Sequence, residues 1–334
     1  MAKLQSTEIV GVANRPATIC SNTMCIWFDT TNLKTVISYC GYGAGAWSVG
    51  GAMITGRSGL AAGGTQNETF AVGGNCVYGS NSVACTEEYN GTSWSTGGAL
   101  ITSRNIISAV GTQNIGLAMG GGICGLCVLA CTEEYNGTSW SAGGALITAR
   151  FNLAGAGIQN EGLVIGGSND SYLEGGQRLS TEEYNGTSWS AGGNLIVARS
   201  GHMGAGSQNS AVVTGGQCAY NTSVTCTEEY NGTSWSAGGA LIFSRNGISG
   251  AGTQNSALAF GGGTATPGFG TNYRCVEEYN GTSWSAVSSL INIRQYSGGA
   301  GTQSAGLAIG GYGAAQLSCT EEYNKALEIV DSIQ

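Results

Sequence analysis

Proline occurs twice and histidine once in this 334-residue chain. A single imidazole excludes metal centres that need two or more histidines. It also leaves His202 a poor member of a Ser-His-Asp triad, because its sequence neighbours are small and apolar. Charged residues make up only 10%, so the surface must be built largely from Ser, Thr, Asn, Gln and Gly. No run of basic residues is present, and phosphate-backbone recognition therefore has no electrostatic footprint. Nucleic acid is not an expected partner. No stretch of 18 apolar residues exists, so membrane insertion is not expected either. The opening MAKLQSTEIV has no apolar core, and no secretory signal peptide is expected.

Glycine is abundant, at 59 residues, and the hydrophobic fraction is 41%. That is enough for a core, and the glycines do not follow the three-residue period of collagen. The net charge of −8 comes largely from six Glu-Glu doublets. Half of the 12 basic residues are one recurring arginine: Arg57, Arg104, Arg150, Arg199, Arg245 and Arg294. The charge therefore belongs to a repeat. Its core is Thr-Glu-Glu-Tyr-Asn-Gly-Thr-Ser-Trp-Ser-Ala-Gly-Gly at 227–239, with near-copies at 86–98, 132–144 and 181–193. A decayed copy covers 276–286, and a sixth begins at Thr320 and breaks off after Asn324. Repetition at this period decides the architecture before any local motif does.

In the unit from Arg199 to Arg245, four short segments are separated by turn residues. Segment a is small and apolar, at 200–206. Segment b is 210–214 and ends at Gly215 and Gly216. A variable loop leads to segment c, 225–230. Asn231 and Gly232 are a strong hairpin signal, read as two residues at positive φ, and segment d, 233–237, carries Trp235. Four short antiparallel strands cannot bury both faces alone, but copies arranged radially can. The expected fold is all-β: a propeller with segment a near the axis and the tryptophan wedged between blades. Removing one buried tryptophan should cost roughly 3–5 kcal/mol. The ordered marks, Gly-Gly after b, Glu-Tyr in c and Trp in d, resemble the kelch repeat over about 41–324. That resemblance implies four-stranded blades.

The repeat tryptophans are Trp47, Trp94, Trp140, Trp189, Trp235 and Trp284, spaced 46 to 49 residues apart. The last copy lacks its Trp strand, and Trp47 lacks a full preceding blade. Six blades follow if the strand around Trp47 completes the last blade and closes the ring. Seven blades follow instead if 5–50 forms a degenerate blade and 327–330 the last outer strand. The expected division is an attachment and closure segment at 1–45, the propeller at 46–324 and a tail at 325–334. Within the first segment, Trp27-Phe28-Asp29-Thr30-Thr31, then Leu33-Lys34 and Gly45-Ala46-Trp47, resembles a short motif of bacteriophage tail and fibre proteins. The repeat core with its Gly-Thr-Gln turn is similar to marine phage structural proteins. These resemblances imply a virion protein that contacts other virion proteins, as a monomer or an oligomer.

In a strand, the first Glu of each doublet shares a face with Tyr and the second points the other way. One Glu per blade is expected to pair with the repeat Arg, as scaffold and not as an acidic binding ring. Six equivalent doublets are also unlike the two specialised carboxylates of a glycosidase. Three blades carry a Cys after Gly-Gly and another before Glu-Glu: Cys76 with Cys85, Cys124 with Cys131, and Cys218 with Cys226. Cross-hairpin disulfides are the expectation, with free thiols as the alternative and a zinc site through Cys124, Cys127 and Cys131 as a remote third, since it lacks a fourth ligand. Cys20, Cys25, Cys40, Cys127, Cys275 and Cys319 have no evident partners. The five Asn-Gly-Thr sequons serve the hairpin. Some kelch-type proteins are copper oxidases, but one histidine cannot supply that site. No catalytic, cofactor or metal residues are nominated, and no enzyme activity is expected.

Function is expected on the variable loops between b and c. They carry Tyr78, Asp170, Tyr172, Tyr220, Phe269, Tyr273 and Tyr312, aromatics among polar residues that suit sugar stacking or loop packing. The reading is a non-enzymatic virion protein displaying a propeller for host-surface adhesion or decoration, with a glycan or protein as the ligand. A secreted lectin and an intracellular kelch scaffold are the alternatives.

Overall fold

The computed structural model describes residues 24–29, 34–42, 45–77, 80–123, 127–169, 176–218, 222–264, 273–325 and 327–333. The chain divides into two compact units, Ala46–Asn324 and a unit of Met1–Gly45 with Lys325–Gln334. In the latter, Met24–Asp29, Lys34–Tyr42 and Leu327–Ile333 form an antiparallel three-stranded sheet with the middle range at its centre.

Ala46–Asn324 is a propeller of six four-stranded antiparallel blades. Strands a to d of blade 1 are Ala61–Gly64, Thr69–Val72, Thr86–Tyr89 and Trp94–Thr96. Blade 2 begins with Ser108–Thr112, blade 3 with Ala154–Ile158, blade 4 with Met203–Ser207 and blade 5 with Ser249–Thr253. Blade 6 takes a to c from Gly298–Gly301, Ala305–Ile309 and Thr320–Asn324, and d from Ala46–Val49. The register of that clasp runs from Ala46 opposite Asn324 to Val49 opposite Glu321. Six blades are therefore correct, and the seven-blade alternative fails. Lys34–Tyr42 and Leu327–Ile333 pair with each other, so they are not strands of a seventh blade.

Strand a of each blade touches strand a of the next around the whole ring. Small residues permit this approach: a Cβ on Gly299 would lie 2.4 Å from the Gly250 carbonyl oxygen. Farther out, each tryptophan fills the wedge against the preceding blade. Trp94, for example, is buried with Leu307 and Ile309 of blade 6. Its ring packs against Tyr89 at 4.9 Å between centroids, with the planes tilted by 32°. Five indole nitrogens donate to the threonine that opens strand c of the blade before, as Trp140 does to Thr86 at 2.9 Å. Trp47 is the exception. Blade 5 opens strand c with Val276, and the Trp47 Nε1 is buried with no acceptor among the described residues.

The charged repeat is resolved into two devices. The first Glu of each doublet is buried and pairs with the arginine of its own blade, in all six blades. Its carboxylate also accepts backbone N–H groups of the connection between blades, such as Ile101 at 2.7 Å and Thr102 at 3.3 Å to Glu133. The same arginine ties the ends of strands b and c: Arg104 donates to the carbonyls of Gly120 at 3.0 Å and Cys131 at 2.7 Å. Burial lowers the affinity of Arg104, Arg150 and Arg245 for their proton, and the facing carboxylates oppose that shift.

The second Glu joins neighbours. Its Oε1 accepts the tyrosine hydroxyl of the next blade at 2.5–2.8 Å, from Tyr135 on Glu88 round to Tyr89 on Glu322. Burial first, then this bond, pushes the hydroxyls of Tyr89, Tyr135, Tyr230 and Tyr279 up to about 12, so each stays a neutral donor. On the rim of the a–b turns, a third circle closes. Gln113 Nε2 donates to the carbonyls of Thr69 at 3.2 Å and Tyr89 at 2.8 Å in the blade before. Gln66, Gln159, Gln208, Gln254 and Gln303 do the same.

Two sequence expectations are corrected here. The Asn-Gly turn has only its glycine at positive φ, for example Gly91 at 86°. The asparagine instead accepts from two following backbone amides: Asn90 Oδ1 takes Thr92 N at 3.0 Å and Ser93 N at 2.9 Å. The connection is thus longer than two residues, and strand d starts at the tryptophan. The expected disulfides are also absent among the described residues. Cys76, Cys85, Cys131 and Cys226 are free thiols, and Cys124 lies outside the described residues. The b–c loops of blades 1, 2 and 4 form small two-stranded ribbons. This pairing sets Cys218 opposite Thr222, four residues short of Cys226. The thiols before Glu-Glu turn to the buried arginines instead, Cys131 at 2.9 Å from Arg104 and Cys226 at 2.9 Å from Arg199. Burial raises the Cys85 and Cys131 thiols above their ordinary range, against the pull of Arg57 and Arg104.

Candidate functional site

The rim carrying the b–c loops is built inward from the repeat arginine. The residue after each arginine bridges to the residue that follows Gly-Gly, as Asn105 does to Gly122. The next residue reaches the axis. There, six backbone hydrogen bonds run head to tail through all six blades. Ile106 N donates to Gly59 O at 2.6 Å, Asn152 to Ile106 at 3.1 Å, and Gly201 to Asn152 at 2.8 Å. Gly247 donates to Gly201 at 2.8 Å, Tyr296 to Gly247 at 2.8 Å, and Gly59 to Tyr296 at 2.9 Å, which closes the circle. All six residues are left-handed, at φ between 51° and 64°. Glycine adopts that region freely, whereas Ile106, Asn152 and Tyr296 hold it against steric cost. The circle borders an axial cavity of about 130 Å³, lined by the first residues of the six innermost strands, among them Ala61, Ser108, Met203 and Ser249.

His202 lies next to this circle. Blades 1, 2, 3 and 5 place Leu60, Ile107, Leu153 and Ile248 at the equivalent position, so the imidazole occupies an apolar slot between blades 3 and 4. It is 5% exposed, and neither ring nitrogen has a partner at hydrogen-bond geometry among the described residues. Burial, then the charge of Arg199, pushes its pKa down to about 3, with the Ile165 backbone opposing weakly. It is therefore neutral at physiological pH.

Of the loop residues expected to bind a ligand, Tyr78, Asp170, Tyr172, Tyr220 and Phe269 lie outside the described residues. Tyr273 and Tyr312 lie on this rim and are half-buried. Tyr273 N donates to Gly262 O at 2.8 Å, and Tyr312 exchanges backbone bonds with Gln295 at 2.8 and 3.0 Å. Both are thus anchored by their backbones to the frame, in blades 5 and 6. The sequence reading missed a further circle of exposed isoleucines: Ile54, Ile101, Ile147, Ile196, Ile242 and Ile291, one per blade. Each follows a buried core residue, and its N–H is held by the buried Glu of the Arg–Glu pair. The repeated Leu-Ile or Met-Ile pair could have shown it, since only one residue of such a pair can face the core. Among the described residues no group of three or more His, Cys, Asp and Glu is arranged to hold a metal ion. A scan against protein-family models finds none that matches the chain, and no curated protein matches it.

Proposed function

We propose that this protein is a non-catalytic binding head, a virion component that presents its b–c rim to a host-surface glycan or protein. One observation carries the reading. The Arg–Glu pairs, the Tyr–Glu bonds and the Gln bonds of the a–b rim recur in every blade, whereas length and sequence vary in the b–c loops, held on that frame. That is the division expected of a scaffold with a recognition face. The virion setting rests on the phage-like motif at 26–47 and the phage-like repeat core; its partners there are other virion proteins. A propeller frame equally suits a protein–protein contact, so the ligand class is settled by binding. The test is competition. Purified propeller added in excess should block adsorption of particles to host cells, and antibody against it should label those particles. Adsorption unaffected by saturating propeller, with particles unlabelled, would refute the proposal.

A further inference from the structure

The axial well beside the left-handed circle is walled largely by backbone. Strand a is the end strand of all six sheets, and among the described residues no strand pairs with its inner edge. Alternate residues of an end strand turn their N–H and C=O groups away from the sheet. Here those groups face the axis, so the wall both donates and accepts hydrogen bonds. No Asp, Glu, Lys or Arg lines the well, and His202 beside it is neutral above about pH 3. The well holds about 130 Å³, close to the roughly 150 Å³ of a cavity that admits a benzene ring. Ile106, Asn152 and Tyr296 stand at the circle, all half-buried. Each leans over a glycine of the circle in an adjacent blade. A Cβ on Gly59 would lie 3.3 Å from Ile106 Cγ1, and one on Gly247 would lie 3.2 Å from three carbons of the Tyr296 ring. A Cβ on Gly201 would lie 3.8 Å from both amide atoms of Asn152, and that amide has no partner among the described residues. Three blades build the circle with glycine and no strain. Ile106 is the costliest exception, because its Cβ is branched. Side chains held in a costly conformation where glycine would serve point to a use for those side chains.

We propose that the axial well takes the acetamido group of an N-acetylated hexosamine, one per chain. A ligand that displaces water from this wall must itself donate and accept, or the wall is left unsatisfied. An amide does both in a small volume. Its N–H donates to a strand carbonyl or to Asn152 Oδ1, its C=O accepts from a strand N–H or from Asn152 Nδ2, and its methyl group lies against Ile106. The pyranose ring stays at the circle with its carbon face on Tyr296, whose ring is apolar. A charged group would lose its water with no opposite charge to meet it. An unacetylated hexose has no amide for the wall and no methyl group for Ile106.

This inference rests on the binding-head reading, since it names a glycan terminus as the ligand at the centre of the b–c rim. The probes are N-acetylglucosamine and N-acetylgalactosamine, with glucose, galactose and cationic glucosamine as controls. Binding to the full chain is read by titration calorimetry and native mass spectrometry. At least one N-acetyl sugar should bind once per chain and about tenfold or more tightly than its parent hexose, and glucosamine should not bind. Asn152→Asp keeps the shape of the side chain and its tolerance of positive φ but removes the amide donor. Tyr296→Gly removes the ring and installs the residue that blades 1, 4 and 5 carry. Each should weaken binding by about tenfold or more in a chain whose thermal unfolding shows it folded. Failure of both N-acetyl sugars to bind, equal binding of the parent hexoses, or affinity unchanged in both variants overturns the proposal. The adsorption assay separates the two readings. If wild-type propeller blocks adsorption and the Asn152→Asp, Tyr296→Gly double variant blocks it equally, the well proposal falls and the binding head stands. If an N-acetyl sugar binds as described but no propeller blocks adsorption, the binding head falls and the well stands.

Discussion

Replacing His202 with Leu should remove most of the acid sensitivity of the seam between blades 3 and 4. The imidazole is buried, its nitrogens have no partner at hydrogen-bond geometry among the described residues, and its folded pKa is about 3, against 6.5 in an accessible state. A depressed folded pKa means that the unfolded chain binds the proton more readily. Stability from this source is therefore complete above pH 6.5 and falls as pH drops toward 3. Between pH 8 and pH 5 the loss is about 2 kcal/mol, the free energy of protonating an ordinary imidazole that the folded state keeps neutral. His202→Leu installs the residue that blades 1 and 3 carry at this position, Leu60 and Leu153. It should also stabilise the protein by about 1–3 kcal/mol at pH 8, since it replaces a buried polar ring lacking hydrogen bonds. Urea unfolding of both proteins at pH 8 and pH 5 gives the four free energies needed. The wild type should lose about 2 kcal/mol more than the variant on acidification. Equal losses in the two proteins would refute the reasoning and mean that the imidazole is hydrated or paired.

Other predictions address the bonds between and within blades. Val276→Thr should give Trp47 Nε1 the acceptor that five other tryptophans have and stabilise the protein by about 1 kcal/mol; denaturant midpoints would show it, and a loss would contradict the assignment. Glu133→Leu should cost about 3–5 kcal/mol, because Arg104 would be left charged and buried; a cost near zero would mean that the pair is hydrated. Gln254→Ala removes three hydrogen bonds with blade 4, two donated by Nε2 to the Ala211 and Tyr230 carbonyls and one accepted by Oε1 from Ser210 Oγ, and should cost about 1–3 kcal/mol. Its effect should add to that of Val276→Thr, since the two act at different seams.

The propeller was legible in the sequence because its determinants are local and repeated. Each Gly-Gly ends a strand, each Trp marks an outer strand, and Trp47 with no blade of its own faced a last blade with no Trp. The Arg–Glu pair could be read because both residues recur together. The bonds between blades could not. The glutamine of the a–b turn looks like a turn residue until its partner, the Tyr carbonyl 24 residues earlier, is brought beside it. The second Glu looks solvent-facing until the next blade presents its tyrosine. The left-handed circle at the axis was hidden because Ile106, Asn152 and Tyr296 do not announce positive φ as glycine does. The disulfides failed for the converse reason. Cys76 and Cys85 flank a loop in sequence, but the ribbon within that loop sets the register, and the buried arginine claims the second thiol. Of the candidate binding face, the sequence placed the rim and its variable loops, but not the isoleucine circle.

The closing strand tests the central claim most directly. Amide hydrogen exchange, read by mass spectrometry on peptides covering Ala46–Val49 and Thr320–Asn324, reports whether the two pair. A ring closed by this clasp predicts that both segments exchange slowly and together, at the rate of the strands in blade 3. Fast exchange of Ala46–Val49 while Thr320–Asn324 stays protected would contradict the six-bladed closed propeller on which every inference here depends.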